Sequence, residues 1–215
     1  MPLTLYGHDG SGSAAVEAAL VLAGVPHHVL VAASWVPGPA LAGLQAVNPL
    51  AQIPTLVWDD GTVMTESAAI LIELGLRHPA SGLLPTAPAA RAQVLRGLVY
   101  IAANCYAMIG VIDFPARVMD QPSEAELARL QLASRAHLHQ LWSVFADQFV
   151  PTAGAPFFGG TAPGALDLLA SVVSRWSGSR PHLWAQRPAL AALLDRVQAH
   201  ALVGPVLDRH FPPAA

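Results

Sequence analysis

Over its first 80 residues the chain switches repeatedly between two hydrophobic rhythms. Residues 3–8, LTLYGH, alternate with the period of two that a half-buried strand requires, whereas residues 13–24, SAAVEAALVLAG, form a helical pattern closed by Gly24. Residues 27–33, HHVLVAA, return to strand, so the chain opens β-α-β. Residues 39–47 can carry a short helix, and residues 54–64, PTLVWDDGTVM, predict a hairpin turning at Asp60-Gly61. A further helix begins within TESAAILIELGLRH, residues 65–78. The order βαβαββα corresponds to a four-stranded mixed sheet with helices on its faces, an α/β domain over residues 1–80.

Beyond that point the texture changes. PASGLLPTAP, residues 79–88, is rich in Pro, Gly and Ser, so residues 81–88 read as a linker and residues 89–215 as an all-helical domain. Residues 89–117 form one long helical pattern that closes near Asp113-Phe114-Pro115, where the proline disfavours helix for its predecessor. Residues 123–149 predict a second long helix, opened by Ser123 and Glu126 at capping-box spacing. Residues 164–176, 187–200 and 203–211 predict shorter helices joined by turns containing Pro and Gly.

Composition sharpens this picture. The chain is 53% hydrophobic and only 12% charged, with a mean hydropathy of +0.46, which raises the question of a membrane span. The most apolar run, residues 97–112, is shorter than the ~18–20 residues a span needs and is interrupted by Asn104, so it reads as a buried helix. The opening MPLTLYGHDG lacks the basic region and apolar core of a secretory signal. A single cysteine, Cys105, excludes an internal disulfide and a multi-cysteine metal cluster, so the expected location is cytoplasmic. His27, His28, His137 and His139 form no recognisable ligand set, and no metal is expected. A net charge of −3 and the lack of any lysine argue against a nucleic-acid partner.

Three motifs carry candidate chemistry. NPLAQIPTL, residues 48–56, puts Pro54 at the mouth of the strand expected at residues 55–58, although proline has no N–H to give a sheet. TES, residues 65–67, begins a helix, whose unpaired N–H groups and partial positive charge suit a carboxylate. The turn GHDGSGS, residues 7–13, precedes the first helix and follows LYG. With an all-helical second half containing Asp167, these motifs arrive in an order and separation that resembles the cytosolic glutathione S-transferase superfamily, as a bacterial-type member, over essentially the whole chain.

The resemblance implies a thioredoxin-like first half that holds glutathione and a helical half that shapes a hydrophobic co-substrate site. It implies a cis bond at Pro54, with the Ile53 backbone pairing strand-like with the cysteinyl part of glutathione. Gln52 would reach the glycyl carboxylate, Glu66 the α-ammonium, and Ser67 the γ-glutamyl carboxylate. A trans proline opening an edge strand, and plain helix-start residues at Thr65 and Glu66, are the structural alternatives.

Activation of the glutathione thiol, whose pKa resembles the ~8.5 of free cysteine, needs a donor that favours the thiolate. Ser13 and Ser11 are the available hydroxyls, with Ser13 favoured for its place at the helix start; the backbone N–H groups of Gly12 and Ser13, or Tyr6, also fit. Both serines equally fit simple helix caps. No cysteine lies in this turn, which disfavours disulfide-forming chemistry. Tyr100, Asn104, Ala107, Met108 and Val111 recur at three-to-four spacing and suggest one co-substrate face, with Trp176 as a second wall; plain core is the alternative. Asp167, with Gly164 rather than Ser or Thr three residues earlier, reads as a structural acceptor for the Gly164 N–H.

The resemblance thus implies a homodimeric, detoxifying glutathione transferase in which the glutathione thiolate attacks a small hydrophobic electrophile. Glutathione-dependent peroxide or disulfide reduction without a cycling protein cysteine is the enzymatic alternative. A non-enzymatic binding or regulatory module is the other.

Overall fold

The computed structural model describes residues 2–151 and 154–212. Strand β1 (Leu3–Gly7) alternates buried and half-buried residues along its length. It pairs in parallel with β2 (His27–Val31) and antiparallel with β3 (Thr55–Val57), which in turn pairs with β4 (Val63–Met64). The sheet order is β2-β1-β3-β4. Between the strands run α1 (Ser13–Leu22) and α2 (Pro39–Val47), and α3 (Ser67–Arg77) follows the sheet. The β3–β4 turn falls at Asp60-Gly61: Gly61 takes φ 84°, and the Thr62 N–H donates to Asp60 Oδ1 at 2.8 Å. Pro54 stands one residue ahead of β3, where its missing N–H costs the ladder nothing.

From Pro88 onward the described chain is helical. Helix α4 (Pro88–Tyr100) passes through a π-helical segment (Ile101–Tyr106) into α5 (Ala107–Asp113). The helical run therefore ends at Asp113, and residues 115–117 form only a 3-10 turn. This run of 26 residues meets the length and hydropathy of a membrane span, longer than the apolar stretch alone suggested, yet Ile101, Cys105, Ile109 and Ile112 are buried within the fold. Helix α6 (Glu124–Phe149) opens with a reciprocal capping box: Ser123 Oγ accepts from the Glu126 N–H and the Glu126 carboxylate accepts from the Ser123 N–H. Helices α7 (Ala165–Val173), α8 (Ser179–Gln186), α9 (Pro188–Gln198) and α10 (Gly204–His210) complete the chain.

The main apolar core runs from Leu5 and Leu56 of the sheet through Leu20 of α1 and Leu71 of α3 into Leu98, Trp142, Leu169 and Leu194. Helix α7 is buried along its whole length at the centre of this core. Asp167 on its first turn accepts the Gly164 N–H at 2.9 Å and the Phe158 N–H at 3.1 Å. Burial nevertheless pushes its carboxyl up to about 7 against the pull of those two donors.

Candidate functional site

A cleft of about 720 Å³ opens between the sheet domain and the helical run. One wall carries Gly10, Ser11 and Gly12, then Gln52, Ile53 and Pro54, then Thr65 to Ala68, with Ser34 and Trp35 at its side. The opposite wall carries Ala102, Tyr106, Ala107, Ile109, Gly110, Asp113, Phe114, Arg117 and Trp176. All five residues assigned to glutathione in the sequence thus line one cavity.

Local chemistry holds the first wall in shape. The Ile53–Pro54 bond is cis. Beside it, the buried Asn48 acts as a three-way tie: Nδ2 donates to the Gln52 carbonyl at 3.1 Å and to Thr55 Oγ1 at 3.0 Å, while Oδ1 accepts the Leu50 N–H at 3.1 Å. Thr55 Oγ1 donates in turn to the Gln52 carbonyl at 2.8 Å. The buried Asn48 and Thr55 side chains thereby satisfy each other and the loop backbone. Asn48 had no assigned role in the sequence, although an asparagine closing a helix six residues before a proline was the available signal.

At the start of α3, Glu66 adopts φ 61° and ψ 107°. A residue with a Cβ rarely occupies this region, and the conformation costs on the order of 1–3 kcal/mol. It sets Glu66 and Ser67 side by side on the cleft wall, ahead of the unpaired N–H groups of the helix.

The serine turn is a closed hydrogen-bonding unit. Ser11 Oγ donates to the His8 carbonyl at 2.7 Å and lies 2.8 Å from Ser13 Oγ. Ser13 Oγ accepts the His8 N–H at 3.2 Å and lies 3.3 Å from the His8 carbonyl. Ser11 borders the cleft, but Ser13, at 1% exposure, sits beneath it. A Cβ on Gly7 would stand 2.6 Å from Ser13 Oγ, so the serine occupies the space that glycine leaves. Of the two serines it is thus Ser11, and not the favoured Ser13, that borders the cleft. Tyr6 does not border the cleft either: it packs against the small cluster of Ala32, Leu44 and Ala51 on the α2 side.

The helical wall corrects the expected face. Ala107 and Trp176 border the cleft, but Tyr100, Asn104, Met108 and Val111 do not. Tyr100 donates its hydroxyl to the Leu141 carbonyl at 3.0 Å and packs on Phe145 and Phe149. Asn104 donates to the Tyr100 carbonyl at 3.0 Å, and Met108 packs on the core. The stripe that borders the cleft is instead Ala102, Tyr106, Ile109, Gly110 and Asp113. Its spacing is the expected one and its phase is not, because nearly every side of this run is apolar and only tertiary packing chooses which side faces the groove.

Tyr106 is the residue that the sequence reading missed. Its hydroxyl lies over the serine turn, 2.5 Å from where a Cβ on Gly12 would be. Its ring meets Trp176 edge-on at 5.6 Å, and Trp176 meets Phe211 at 6.4 Å. Burial, reinforced by the charges of Glu66 and Asp113, pushes the Tyr106 hydroxyl up to about 12. Burial also raises Asp113, partly opposed by Arg135.

Behind the turn, helix α10 is fastened to α1. Glu17 is buried, yet hydrogen bonds from His210 and Arg209 and the Arg209 charge outweigh that burial and hold its carboxyl below the usual range. His210 Nε2 donates to Glu17 Oε2 at 2.7 Å. This tie places Phe211, the next residue, against Trp176. Cys105 is buried outside the cleft, with its thiol raised to about 12. Among the described residues no group of three His, Cys, Asp or Glu is arranged to hold a metal ion.

A four-stranded sheet with flanking helices, joined to an all-helical half across such a cleft, defines the glutathione S-transferase fold. Solved structures of the same architecture include a glutathione transferase homologue from Sulfitobacter with bound glutathione, 23% identical, with a TM-score of 0.83 over 96% of this chain and 97% of that one. A glutathione S-transferase from Pseudomonas fluorescens is 25% identical, with a TM-score of 0.75 over 97% and 100%. Residues 13–76 match the family described as glutathione S-transferase, N-terminal domain. An uncharacterized GST-like protein, YncG, of Escherichia coli K12 is 34% identical over 117 residues, a match spanning 54% of this chain and 56% of that protein. Across its described length the chain thus has the glutathione S-transferase fold, and its residues 13–76 match that family's N-terminal domain.

Proposed function

We propose that this protein binds glutathione through its first 80 residues and activates the thiol for attack on a small hydrophobic electrophile held by residues 89–215. The observation that carries the reading is the convergence of Gln52, Ile53, cis-Pro54, Glu66 and Ser67 on one wall of a cleft whose other wall is largely apolar. Ser67 and the first N–H groups of α3 suit the γ-glutamyl carboxylate, Glu66 suits the ammonium beside it, and Gln52 suits the glycyl carboxylate. The cysteinyl part then lies along Ile53 with its sulfur toward the Gly10–Gly12 turn. The solved Sulfitobacter homologue carries bound glutathione, which favours the same ligand here.

The electrophile would lie against Ile109, Phe114 and Trp176, and the rate would come from holding thiolate and acceptor together. With Cys105 buried away from the cleft, a protein disulfide has no part in the cycle. We place the protein in the cytoplasm as a homodimer with a detoxifying role; exposed Leu76, Val99 and Leu132 supply apolar surface for a partner copy.

Calorimetric titration with glutathione tests the reading. Binding is expected, with affinity falling by about 10–100-fold in Glu66→Ala and Ser67→Ala, as the loss of charge-assisted hydrogen bonds implies. No binding by the parent protein would favour a non-enzymatic module. Turnover of a hydroperoxide without turnover of an aryl halide would replace transfer by reduction.

A further inference from the structure

We propose that the Tyr106 hydroxyl, delivered by the helical half, is the hydrogen-bond donor that stabilises the glutathione thiolate, in place of either serine of the turn. The proposal rests on the glutathione reading above and assigns the catalytic donor within that site.

The first argument is a count of protons. Ser11 and Ser13 each have one hydroxyl hydrogen. Ser11 Oγ donates to the His8 carbonyl at 2.7 Å, and the 2.8 Å contact between the two hydroxyls uses the hydrogen of Ser13. Both hydrogens are then spent inside the turn, and Ser13 is in any case covered. A serine could serve the sulfur only by giving up a buried hydrogen bond, which costs free energy that a free donor does not lose.

The second argument is position. The Tyr106 hydroxyl stands over Gly12, 2.5 Å from the point a Cβ would occupy, so it comes this close to the turn only because residue 12 has no side chain. Among the described residues this hydroxyl has no hydrogen-bond partner, unlike the Tyr100 hydroxyl, which donates to the Leu141 carbonyl. Trp176, backed by Phe211, meets the Tyr106 ring edge-on and restrains it. A donor held in place before the charge develops stabilises that charge without reorganising.

The third argument is protonation state. With its hydroxyl pushed up to about 12, Tyr106 keeps its proton at neutral pH and acts as a donor rather than a base. In the step that follows, the thiol proton passes to solvent water. A sulfur lone pair forms the new S–C bond, the leaving group departs with the electrons of the bond that breaks, and Tyr106 retains its proton throughout.

The test is the titration of the glutathione thiol bound to the intact protein, read by ultraviolet thiolate absorbance, in the parent and in Tyr106→Phe, Ser11→Ala and Ser13→Ala. Tyr106→Phe keeps the ring and its packing while removing the hydroxyl. It is expected to raise the bound thiol's pKa by about one to two pH units and lower kcat/KM toward an aryl halide by about 10–100-fold. The dissociation constant for glutathione, measured at a pH below the bound thiol's titration, should change less than about threefold, since the grip lies on the other wall. Ser11→Ala and Ser13→Ala should move the thiol titration less than Tyr106→Phe does. An unchanged thiol titration in Tyr106→Phe, or a larger rise in either serine variant, overturns the assignment of Tyr106 alone. Absence of glutathione binding by the parent overturns the glutathione reading and this assignment with it.

Discussion

The two walls of the cleft are built by opposite means. The wall proposed to hold glutathione is local: residues 48–55 form a loop whose polar groups tie to one another through Asn48 and Thr55, and Glu66 follows after one hairpin. The helical wall is assembled from a distance, for Tyr106 is supported by Trp176 and Trp176 by Phe211, residues contributed by three separate parts of the chain. A local wall survives rearrangement elsewhere, while a wall built through relayed contacts is sensitive to changes far from the ligand. Their meeting point is Gly12, where the absence of a side chain lets the two walls approach.

The largest effect is expected from breaking the local wall at its knot. Asn48→Ala removes the acceptor of the Leu50 N–H and one of the two donors to the Gln52 carbonyl, and it empties the buried place of the amide beside Thr55. It should cost about 2–4 kcal/mol in denaturant unfolding and weaken glutathione binding more than tenfold. Stability and affinity that match the parent would show the loop to be held by something other than Asn48.

Next comes the meeting point. Gly12→Ala places a methyl group where the Tyr106 hydroxyl sits, and the ring, pinned by Trp176, must swing aside. We expect kcat/KM to fall by about tenfold with glutathione affinity nearly retained, as for loss of a group that acts mainly in the transition state. An equal loss of affinity would mean that the turn, not the tyrosine, had been damaged.

A pH profile separates the walls without mutation. Burial, then the charges of Glu66 and Asp113, raise Tyr106 to about 12, so it is predominantly protonated throughout the neutral and mildly alkaline range. Activity should rise once, through the pKa of the bound thiol, and then stay level to about pH 11, with no descending limb from loss of the donor. A fall setting in near pH 9 would identify a different acid.

The smallest effect belongs to a residue of the same helical run that faces the other way. Tyr100→Phe removes the hydrogen bond to the Leu141 carbonyl, at a cost of about 1 kcal/mol in stability, and should leave both kcat/KM and glutathione affinity unchanged. A kinetic effect as large as that of Tyr106→Phe would erase the distinction between the two faces.

Much of the molecule was legible before folding was considered. The period-two and helical patterns gave the order of strands and helices, Asp60-Gly61 announced the hairpin, and Ser123 with Glu126 announced the reciprocal cap. These features depend on residues a few positions apart. The donor to sulfur was not legible in this way. Ser11 and Ser13 look like free hydroxyls in the string GSGS, but in the folded turn each is engaged by the other and by His8. Tyr106 looks like one more apolar residue in a run where Tyr100, Cys105 and Ile109 are equally eligible to face inward.

What the sequence by itself determined, then, is the sheet domain and the motifs that place Gln52, Ile53, Pro54, Glu66 and Ser67 on its edge, since turn chemistry and hydrophobic period act over short stretches of chain. Tertiary structure alone decided the phase of the helical run. A helix apolar on nearly every side can bury any of them, and the choice fell to the fit against α6 and α7, which left Tyr106 above Gly12 and Tyr100 in the core.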